Sequence, residues 1–280
     1  MQTFLAPAKL NLFLHVVGRR EDGYHLLQTV FRLIDFADQL SFVLRDDSVI
    51  KLRTPTPGVP EENNLCVRAA KLLQQRSHIN LGVEIFLEKH IPMGGGLGGG
   101  SSDAATTLLV LNRLWGLNWN RARLMEVGLE LGADVPVFIY GENAFAEGIG
   151  EKLSSIALLP AWYLVLTPSV HISTGQIFSS KELTRNTNPI TIPPFSPWQG
   201  RNDLETVVCQ MYPVVARYLQ WLKQLNNTTL VAMSGSGACV FAEFANERAA
   251  KYAFQQLPDG MSGFVAEGLS YHPLQKFLEE

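Results

Sequence analysis

Two glycine triplets on either side of Leu97 form the segment of the chain best suited to chemistry. They lead directly into Ser101, Ser102 and an alanine-rich run of helical composition. Glycine lets the backbone approach a ligand closely, and free N–H groups at the start of a helix attract anions. The segment therefore predicts a polyphosphate loop, in which the two serines cap the helix and donate to phosphate oxygens or to a metal shell. Its expected members are Pro92, Met93, Gly94, Gly95, Gly96, Leu97, Gly98, Gly99, Gly100, Ser101 and Ser102.

Three better-known loop patterns fit this segment poorly. A Walker loop would place a lysine before Ser101, where Gly100 stands. The dinucleotide fingerprint is formally satisfied by Gly94, Gly96 and Gly99, but a second helical segment follows where that fold requires a strand. A serine-hydrolase elbow needs a glycine where this chain has an aspartate. The remaining alternative is that this segment is a flexible linker. That interpretation is disfavoured, because linkers are usually polar and rarely lie between two apolar elements.

The elements that must position the loop follow from hydrophobic periodicity. Residues 83–88 alternate as a half-buried strand before it, and residues 101–115 predict the helix after it. Further strands are predicted at 8–16, 39–44, 135–140 and 162–167, a strand pair around 234–237, and helices at 64–75, 120–131, 203–225 and 246–257. This order indicates an α+β protein with two lobes, residues 1–154 and 155–280.

Composition is that of an ordinary soluble enzyme. The chain has 280 residues, 46% of them hydrophobic, and a formal net charge of −3, so neither nucleic acid nor an anionic membrane is an expected partner. The N-terminus lacks the features of a signal peptide, and no apolar run of about 18 residues predicts a membrane span. Three cysteines without a Cys-x-x-Cys spacing fit reduced thiols, and we therefore expect a cytoplasmic protein.

Several separated blocks of the chain resemble the GHMP kinase superfamily. They are Ala6-Pro-Ala-Lys-Leu-Asn11 with Gly23-Tyr-His25, the glycine loop, Gly132-Ala-Asp-Val-Pro136, and Ser234-Gly-Ser-Gly237. The Gly-Tyr-His block is characteristic of the members that phosphorylate the 2-hydroxyl of 4-diphosphocytidyl-2-C-methyl-D-erythritol. The resemblance implies an N-terminal α/β lobe with a left-handed βαβ crossover, a C-terminal ferredoxin-like α/β sandwich, and a site in the cleft between them. It also implies ATP as co-substrate and Mg²⁺, for which no protein ligands are assigned.

The resemblance implies two catalytic residues, Lys9 and Asp134. Asp134 would accept the proton of the acceptor hydroxyl, and Lys9 would orient that hydroxyl and stabilise the developing alkoxide. The residues themselves offer weaker support, because each is a lone charge within an apolar stretch and each could be the partner of the other. Two plainer roles stay open: Asp134 as a helix cap or turn residue, and Lys9 as an edge-strand lysine that deters aggregation.

The resemblance also assigns binding residues for both substrates. Asn11, Tyr24, His25 and Phe178 would hold the small-molecule acceptor. Tyr24 and Phe178 would stack on the two faces of the pyrimidine, His25 would hydrogen-bond its edge, and Asn11 would reach a hydroxyl near Lys9. Asn64 and Lys89 would line the ATP site, whereas Asp103 would aid metal binding or point outward. The Ser234 block is either a turn with amides facing phosphate or the loop, or a plain tight turn.

Two alternatives remain at the level of function. The chain could phosphorylate another small alcohol, such as homoserine, mevalonate or a sugar, or it could be a nucleotide-binding regulatory module without turnover. The Gly-Tyr-His block disfavours the first, and the retained Lys9 and Asp134 disfavour the second.

Overall fold

The computed structural model describes residues 2–191, 201–275 and 277, and its strands form two sheets. The strands are β1 (Phe4–Arg19), β2 (His25–Arg45), β3 (Ile50–Leu52), β4 (Gly82–Glu88), β5 (Ala144–Glu147), β6 (Lys152–Ser155), β7 (Trp162–Leu166), β8 (Thr228–Met233), β9 (Val240–Phe244) and β10 (Gly263–Glu267). The first sheet runs β3-β4-β2-β5-β6, with β1 paired to β2, and the second runs β10-β7-β9-β8. The chain therefore builds one sheet before residue 156 and the other after it.

The helices cover these sheets and connect their strands. They are α1 (Leu65–Ser77), α2 (Gly99–Leu114), α3 (Arg121–Leu131), α4 (Val135–Tyr140), α5 (Thr174–Ser179), α6 (Glu205–Met211), α7 (Pro213–Leu222) and α8 (Glu247–Phe254). Asparagine caps three of them, because the side chains of Asn64, Asn120 and Asn246 accept hydrogen bonds from backbone N–H groups of the first turn. These local signals are visible in the sequence, and the predicted helix starts lie within two residues of the observed ones.

A long antiparallel pair, β1 with β2, forms the centre of the first lobe. Residues Ala6 to Val16 of β1 are all buried, because both faces of this strand are covered. Ala8, Leu10 and Leu12 pack toward the second sheet, whereas the intervening residues face the opposite side, as the two-residue period of a strand requires. The alternation thus places two polar side chains, Lys9 and Asn11, on one face.

Three buried clusters hold the structure together. One lies between the first sheet and helices α1 to α4, and another lies between the second sheet and helices α6 to α8. The third joins the sheets, with Leu10 and Phe13 of β1 packed among Tyr163, Val165 and Phe241 of the second sheet. The two lobes therefore share a continuous apolar contact.

Two predicted elements were wrong. Residues 135–140 were expected to form a strand and instead form helix α4. Pro136 lies in the first turn of this helix, and Gly141, in the left-handed conformation, ends it. A six-residue apolar run has too little periodicity to distinguish a buried strand from a buried helix. The single helix expected at 203–225 is two helices, because Pro213 keeps Tyr212 out of the helical conformation between them.

The division at residue 154/155 falls in the last residues of β6, and the second sheet begins at Trp162. The lobe boundary itself stays a prediction. Of the proline- and asparagine-rich segment 181–201, residues 192–200 lie outside the described residues. Within the described ranges, no helix is both long and apolar enough to cross a bilayer.

Candidate active site

Two cavities lie on either side of the glycine loop. The larger has a volume of about 930 Å³ and the smaller of about 390 Å³. Gly94, Gly96 and Ser101 line both of them. The loop is therefore a shared wall, and a ligand in either cavity contacts the same short stretch of backbone.

Backbone conformation explains why this wall is made of glycine. Gly94, Gly96 and Gly98 all have positive φ angles, between 69° and 76°, a region that other L-residues rarely adopt. Space is a second reason, because a Cβ on Gly96 would lie 2.1 Å from the carbonyl oxygen of Ser234. A Cβ on Gly98 would lie 3.1 Å from Cε of Lys9. The loop can approach both neighbours only without side chains.

Hydrogen bonds from both lobes fix the loop. The backbone N–H of Lys9 in β1 donates to the carbonyl of Leu97 at 2.9 Å. From the second lobe, the Ser234 hydroxyl donates to the carbonyl of Gly96 at 2.8 Å, and the Cys239 N–H donates to that of Gly95 at 3.1 Å. The segment Ser234–Gly237 is thus a turn, closed by a bond from the Gly237 N–H to the Ser234 carbonyl, and it contacts the loop directly.

Helix α2 begins at Gly99, two residues before the predicted start. Its N-cap is Gly98, so the expected capping by Ser101 and Ser102 was wrong. The first N–H groups of the helix have no intrahelical acceptors, and the first two helical residues, Gly99 and Gly100, line the smaller cavity. Ser101 lines both cavities. Ser102 is fully buried and does not line the described walls of either cavity.

Lys9 and Asp134 are paired in the larger cavity. The Lys9 ammonium lies 3.3 Å from a carboxylate oxygen of Asp134. The Lys9 side chain is 3% exposed, whereas the Asp134 side chain is 38% exposed. The Lys9 side chain is therefore enclosed by protein, whereas the Asp134 carboxylate is accessible from the cavity. Burial also excludes the edge-strand role for Lys9, since an aggregation-deterring lysine must project into solvent.

Asn11 orients the Lys9 ammonium. Its amide oxygen accepts a hydrogen bond from Lys9 Nζ, while its amide nitrogen donates to the Thr29 hydroxyl at 2.9 Å. The Thr29 hydroxyl in turn donates to the backbone carbonyl of Phe13. The Phe31 ring lies 5.3 Å from Lys9 Nζ, within the range of a cation–π contact. The ammonium thus has a fixed position before any ligand arrives.

Asp134 occupies the N-cap position of α4, which was the plainer alternative for this residue. Within the described part of the chain, its side chain makes no capping hydrogen bond to the helix. Its carboxylate pairs with Lys9 instead and lines the larger cavity. The helix start therefore positions Asp134, but the carboxylate does not serve the helix.

The predicted acceptor-binding residues lie in the larger cavity. Asn11, Tyr24, His25 and Phe178 all line it. Tyr24 is 60% exposed, so its ring face is available to a ligand. The rings of His25 and Phe178 pack together with their centroids 4.9 Å apart. Sequence reasoning missed Arg185, which donates a hydrogen bond to His25 although the two residues are 160 positions apart in the sequence.

The smaller cavity contains the remaining predicted residues, Asn64 and Lys89. The Lys89 ammonium lies between two carboxylates: it donates to Asp38 and, at 2.7 Å, to Asp103. Asp38 also accepts the backbone N–H groups of His90 and Ile91. This carboxylate was missed, because nothing in its local sequence distinguishes it from an ordinary strand residue.

Asp103 points inward, so of the two roles left open by the sequence, the outward-pointing one is excluded. Its side chain is 4% exposed. Burial raises the pKa of Asp103 to about 7, with the Lys89 charge opposing the rise and the Asp38 charge adding to it. Burial alone would lower the pKa of Lys89, but the carboxylates of Asp103 and Asp38 raise it. One cation thus shares two carboxylates, and a proton on Asp103 relieves their excess charge.

Replacement of Asp103 by Asn should change how stability depends on pH. The raised pKa means that the folded protein keeps this proton over a range in which the unfolded chain, with an ordinary carboxyl pKa, has lost it. This group therefore lowers the free energy of unfolding by up to about 1.4 kcal/mol per pH unit as the pH rises toward 7. Asp103→Asn should lack that decrease. Urea unfolding of both proteins at about pH 5.5 and about pH 7.5 measures the difference.

A matched control is Asp259→Asn, which changes an exposed carboxylate. Burial lowers the pKa values of His15, His25 and His272, so these residues make stability rise with pH. They are present in every variant and cancel in the difference. An Asp103→Asn effect that is the same at both pH values would contradict the buried, proton-holding carboxyl.

Two family models match the sequence. The model of the GHMP kinases N terminal domain matches residues 64–142, and that of the GHMP kinases C terminal domain matches residues 195–263. The first match contains the glycine loop and Asp134. The second contains the Ser234 turn.

Relatives match along nearly the whole chain. A protein of Nitrosospira multiformis named 4-diphosphocytidyl-2-C-methyl-D-erythritol kinase is 72% identical over 98% of this chain and 94% of its own. A protein of the same name from Nitrosomonas europaea is 65% identical over 99% of this chain and all of its own. These alignments cover both lobes of the chain at high sequence identity.

Solved structures agree with the sequence matches. A crystal structure of 4-(cytidine 5'-diphospho)-2C-methyl-D-erythritol kinase superposes with a TM-score of 0.80 at 33% identity, covering 95% of this chain and 99% of its own. A mevalonate kinase superposes with a TM-score of 0.66 at 14% identity over 96% of this chain and 99% of its own, which supports the fold alone. The predicted two-lobed fold is confirmed, and the chain belongs to the GHMP kinase family, among its 4-diphosphocytidyl-2-C-methyl-D-erythritol kinases.

Proposed function

We propose that this protein transfers the γ-phosphoryl group of ATP to the 2-hydroxyl of 4-diphosphocytidyl-2-C-methyl-D-erythritol, giving the 2-phosphate and ADP. The step belongs to non-mevalonate isoprenoid precursor biosynthesis. The observation that carries the proposal is the glycine loop, which forms a wall of two cavities at once, with Lys9 and Asp134 in the larger. Phosphoryl transfer needs two bound substrates that meet at one point, and the loop supplies that point.

The reaction follows from the Lys9–Asp134 pair. The acceptor oxygen attacks the γ-phosphorus, a new P–O bond forms, and the bond to the leaving ADP breaks. Asp134, exposed to the cavity, accepts the hydroxyl proton as that oxygen becomes bonded to phosphorus. Lys9 is buried and held in position by Asn11 and Asp134, and its ammonium stabilises negative charge on the oxygen and on the transferred group. The 3.3 Å separation lets one oxygen atom contact both groups.

The nucleotide is expected in the smaller cavity. Its phosphates would lie along the loop, where the N-terminal N–H groups of α2 and the Ser101 hydroxyl are available. Its base and ribose would extend toward Asn64 and Lys89. In this arrangement the γ-phosphate reaches the shared wall at Gly96, next to Lys9.

Mg²⁺ would enter with ATP. Among the residues that the structure describes, no three His, Cys, Asp or Glu side chains cluster as a metal site. Magnesium in kinases is held by phosphate oxygens with one or two protein ligands, so such a cluster is not required. Ser101, which lines the smaller cavity, is the protein ligand we propose, because the Asp103 carboxyl is buried against Lys89. When bound, the ion neutralises phosphate charge.

The acceptor is expected to span the larger cavity. The methylerythritol end would lie at Asn11, Lys9 and Asp134, and the cytidine end at Tyr24, His25 and Phe178. An aromatic pocket for a pyrimidine favours this acceptor over homoserine, mevalonate or a simple sugar, none of which offers an aromatic ring to stack. Free cysteines fit the reduced interior of a cell, and we infer a cytoplasmic site of action.

The reaction itself is tested by phosphorus NMR. Purified protein is mixed with ATP, Mg²⁺ and 4-diphosphocytidyl-2-C-methyl-D-erythritol, and a new phosphomonoester signal should grow as ADP appears. Binding of both ligands without a new signal would support the regulatory module instead. A protein that binds ATP but not the cytidine compound would point to another small alcohol.

Asp134→Asn should remove turnover and spare nucleotide binding. The amide keeps the shape of the side chain but cannot accept the hydroxyl proton, and general bases contribute about 10²- to 10⁴-fold to rate. The rate of phosphomonoester formation should fall by about that factor. Affinity for ATP, measured by calorimetry, should stay within about twofold, because Asp134 lies in the larger cavity and not in the smaller. Asp259→Asn is the control, and an Asp134→Asn enzyme with near-normal rate would remove the base assignment.

Gly96→Ala should weaken ATP binding. The new Cβ would meet the Ser234 carbonyl at 2.1 Å, so the loop must move away from the Ser234 turn. The positive φ angle adds a strain of about 1–2 kcal/mol. We expect the ATP dissociation constant to rise about tenfold or more, since displaced N–H groups no longer converge on phosphate.

Gly116→Ala is the matched control for this substitution. Gly116 has a similar φ angle of 68°, and a Cβ there would meet nothing within 4 Å. Both variants carry similar backbone strain, so any additional loss of stability by Gly96→Ala in urea unfolding measures the clash with Ser234. Only Gly96→Ala should lose ATP affinity, and equal ATP binding by the two variants would show that loop position does not determine it.

A further inference from the structure

Arg185 joins the two rings at the cytidine end of the larger cavity. Its Nε donates to Nε2 of His25 at 3.1 Å, and one of its terminal nitrogens donates to the carbonyl of Phe178 at 2.9 Å. The same nitrogen donates to the carbonyl of Ser180 at 2.6 Å, and the other donates to that of Leu183. One planar guanidinium thus binds the histidine and the end of helix α5 together.

The contact between Arg185 and His25 fixes the proton of the histidine. A guanidinium carries only donors, so the Nε2 atom that faces it must be the acceptor. In neutral imidazole the other nitrogen then carries the proton, and His25 is the Nδ1–H tautomer. Burial, followed by the positive charges of Arg185 and Arg19, lowers the pKa of His25, so the neutral form prevails at physiological pH.

Phe178 depends on the same arginine for its position. Phe178 lies in the last turn of α5, and a helix of six residues forms few backbone hydrogen bonds within itself. The bonds from Arg185 to the Phe178 and Ser180 carbonyls satisfy acceptors that this helix end would otherwise leave to water. The Phe178 ring then packs on His25, with 31° between the ring planes.

We propose that Arg185 is a positioning residue for the nucleobase: it holds His25 as the neutral Nδ1–H tautomer, with Phe178 packed beside it, so that the imidazole presents one hydrogen-bond donor to the base. This role rests on the proposed function, because it requires the cytidine end of the acceptor to lie here. Cytosine offers two acceptors on its pairing edge, N3 and the O2 carbonyl, and a fixed donor suits either of them. With Nε2 occupied by Arg185, Nδ1 is the ring nitrogen left for the base.

A purely structural role for Arg185 makes a different prediction. If the arginine served only to hold α5, its loss would loosen the helix without changing the tautomer of His25. Free histidine side chains favour the Nε2–H tautomer, and a donor directed at Nε2, such as Arg185, reverses that preference. The protonation site of His25 is therefore a direct readout of the proposed role.

The first experiment measures that tautomer without any substrate. Long-range ¹H–¹⁵N spectra of the ¹⁵N-labelled full chain at about pH 7 identify which ring nitrogen carries the proton. The His25 signals are assigned by their loss in His25→Gln. The wild type should show the Nδ1–H form, and Arg185→Met should shift His25 toward the Nε2–H form. An Nε2–H form in the wild type, or no change in Arg185→Met, would overturn the proposal.

The second experiment separates binding from chemistry. Arg185→Met should raise KM for the cytidine substrate by about 10- to 100-fold, the effect of losing one or two buried polar contacts. The KM for ATP and kcat should change by less than about threefold, because within the described residues the hydrogen-bond partners of Arg185 include neither Lys9 nor Asp134. An unchanged KM for the cytidine substrate, or an equal loss in kcat, would count against the proposal.

Two further variants complete the design. Arg248→Met removes an exposed arginine of helix α8 and should leave the tautomer and both KM values unchanged. Arg185→Lys keeps the charge but not the planar set of donors, so its KM for the cytidine substrate should lie between those of the wild type and Arg185→Met. This variant also tests the proposal if Arg185→Met folds poorly. A wild type that shows no turnover would remove the proposed function, and the substrate-free tautomer would still decide whether Arg185 controls His25.

Discussion

The buried ammonium of Lys9 is the constraint on which the rest of the site depends. A charge that is taken out of water must be paired and hydrogen-bonded, or it shifts to its neutral form. The chain meets this requirement with Asn11 from the same face of β1, with the Asp134 carboxylate, and with the Phe31 ring. Because Lys9 is fixed, the glycine loop can pass beside it, and a Cβ at Gly98 would already crowd it.

A second lysine, Lys89, is used in the opposite way. Among the described residues, Lys9 has one carboxylate partner and leaves that carboxylate facing a cavity, whereas Lys89 has two, Asp38 and Asp103, both buried. The excess negative charge raises the pKa of Asp103 to about 7. In the proposed reaction, pairing with Lys9 leaves the Asp134 carboxylate able to accept a proton, whereas Lys89 keeps two carboxylates buried beside the smaller cavity. The difference arises from the number and burial of carboxylates, not from the type of cation.

Much of this arrangement could be predicted from the sequence, and the exceptions have physical causes. The strand, loop and helix around Gly96 follow from local periodicity, and Lys9 and Asp134 could be paired because each is a lone charge in an apolar stretch. Asp38 and Arg185 could not be found, since their partners lie 51 and 160 residues away and their local sequence is ordinary. Helix α4 was mistaken for a strand because six apolar residues satisfy both patterns.

Both ends of the larger cavity are built from pairs of contacts that cross between the lobes. At one end, the loop is held by β1 from the first lobe and by the Ser234 turn from the second. At the other, His25 begins β2, while Arg185 and Phe178 follow the first strand of the second sheet. The apolar cluster between the sheets sets the distance between these partners. The geometry of the candidate site therefore depends on how the lobes pack, because each end of the larger cavity takes residues from both lobes.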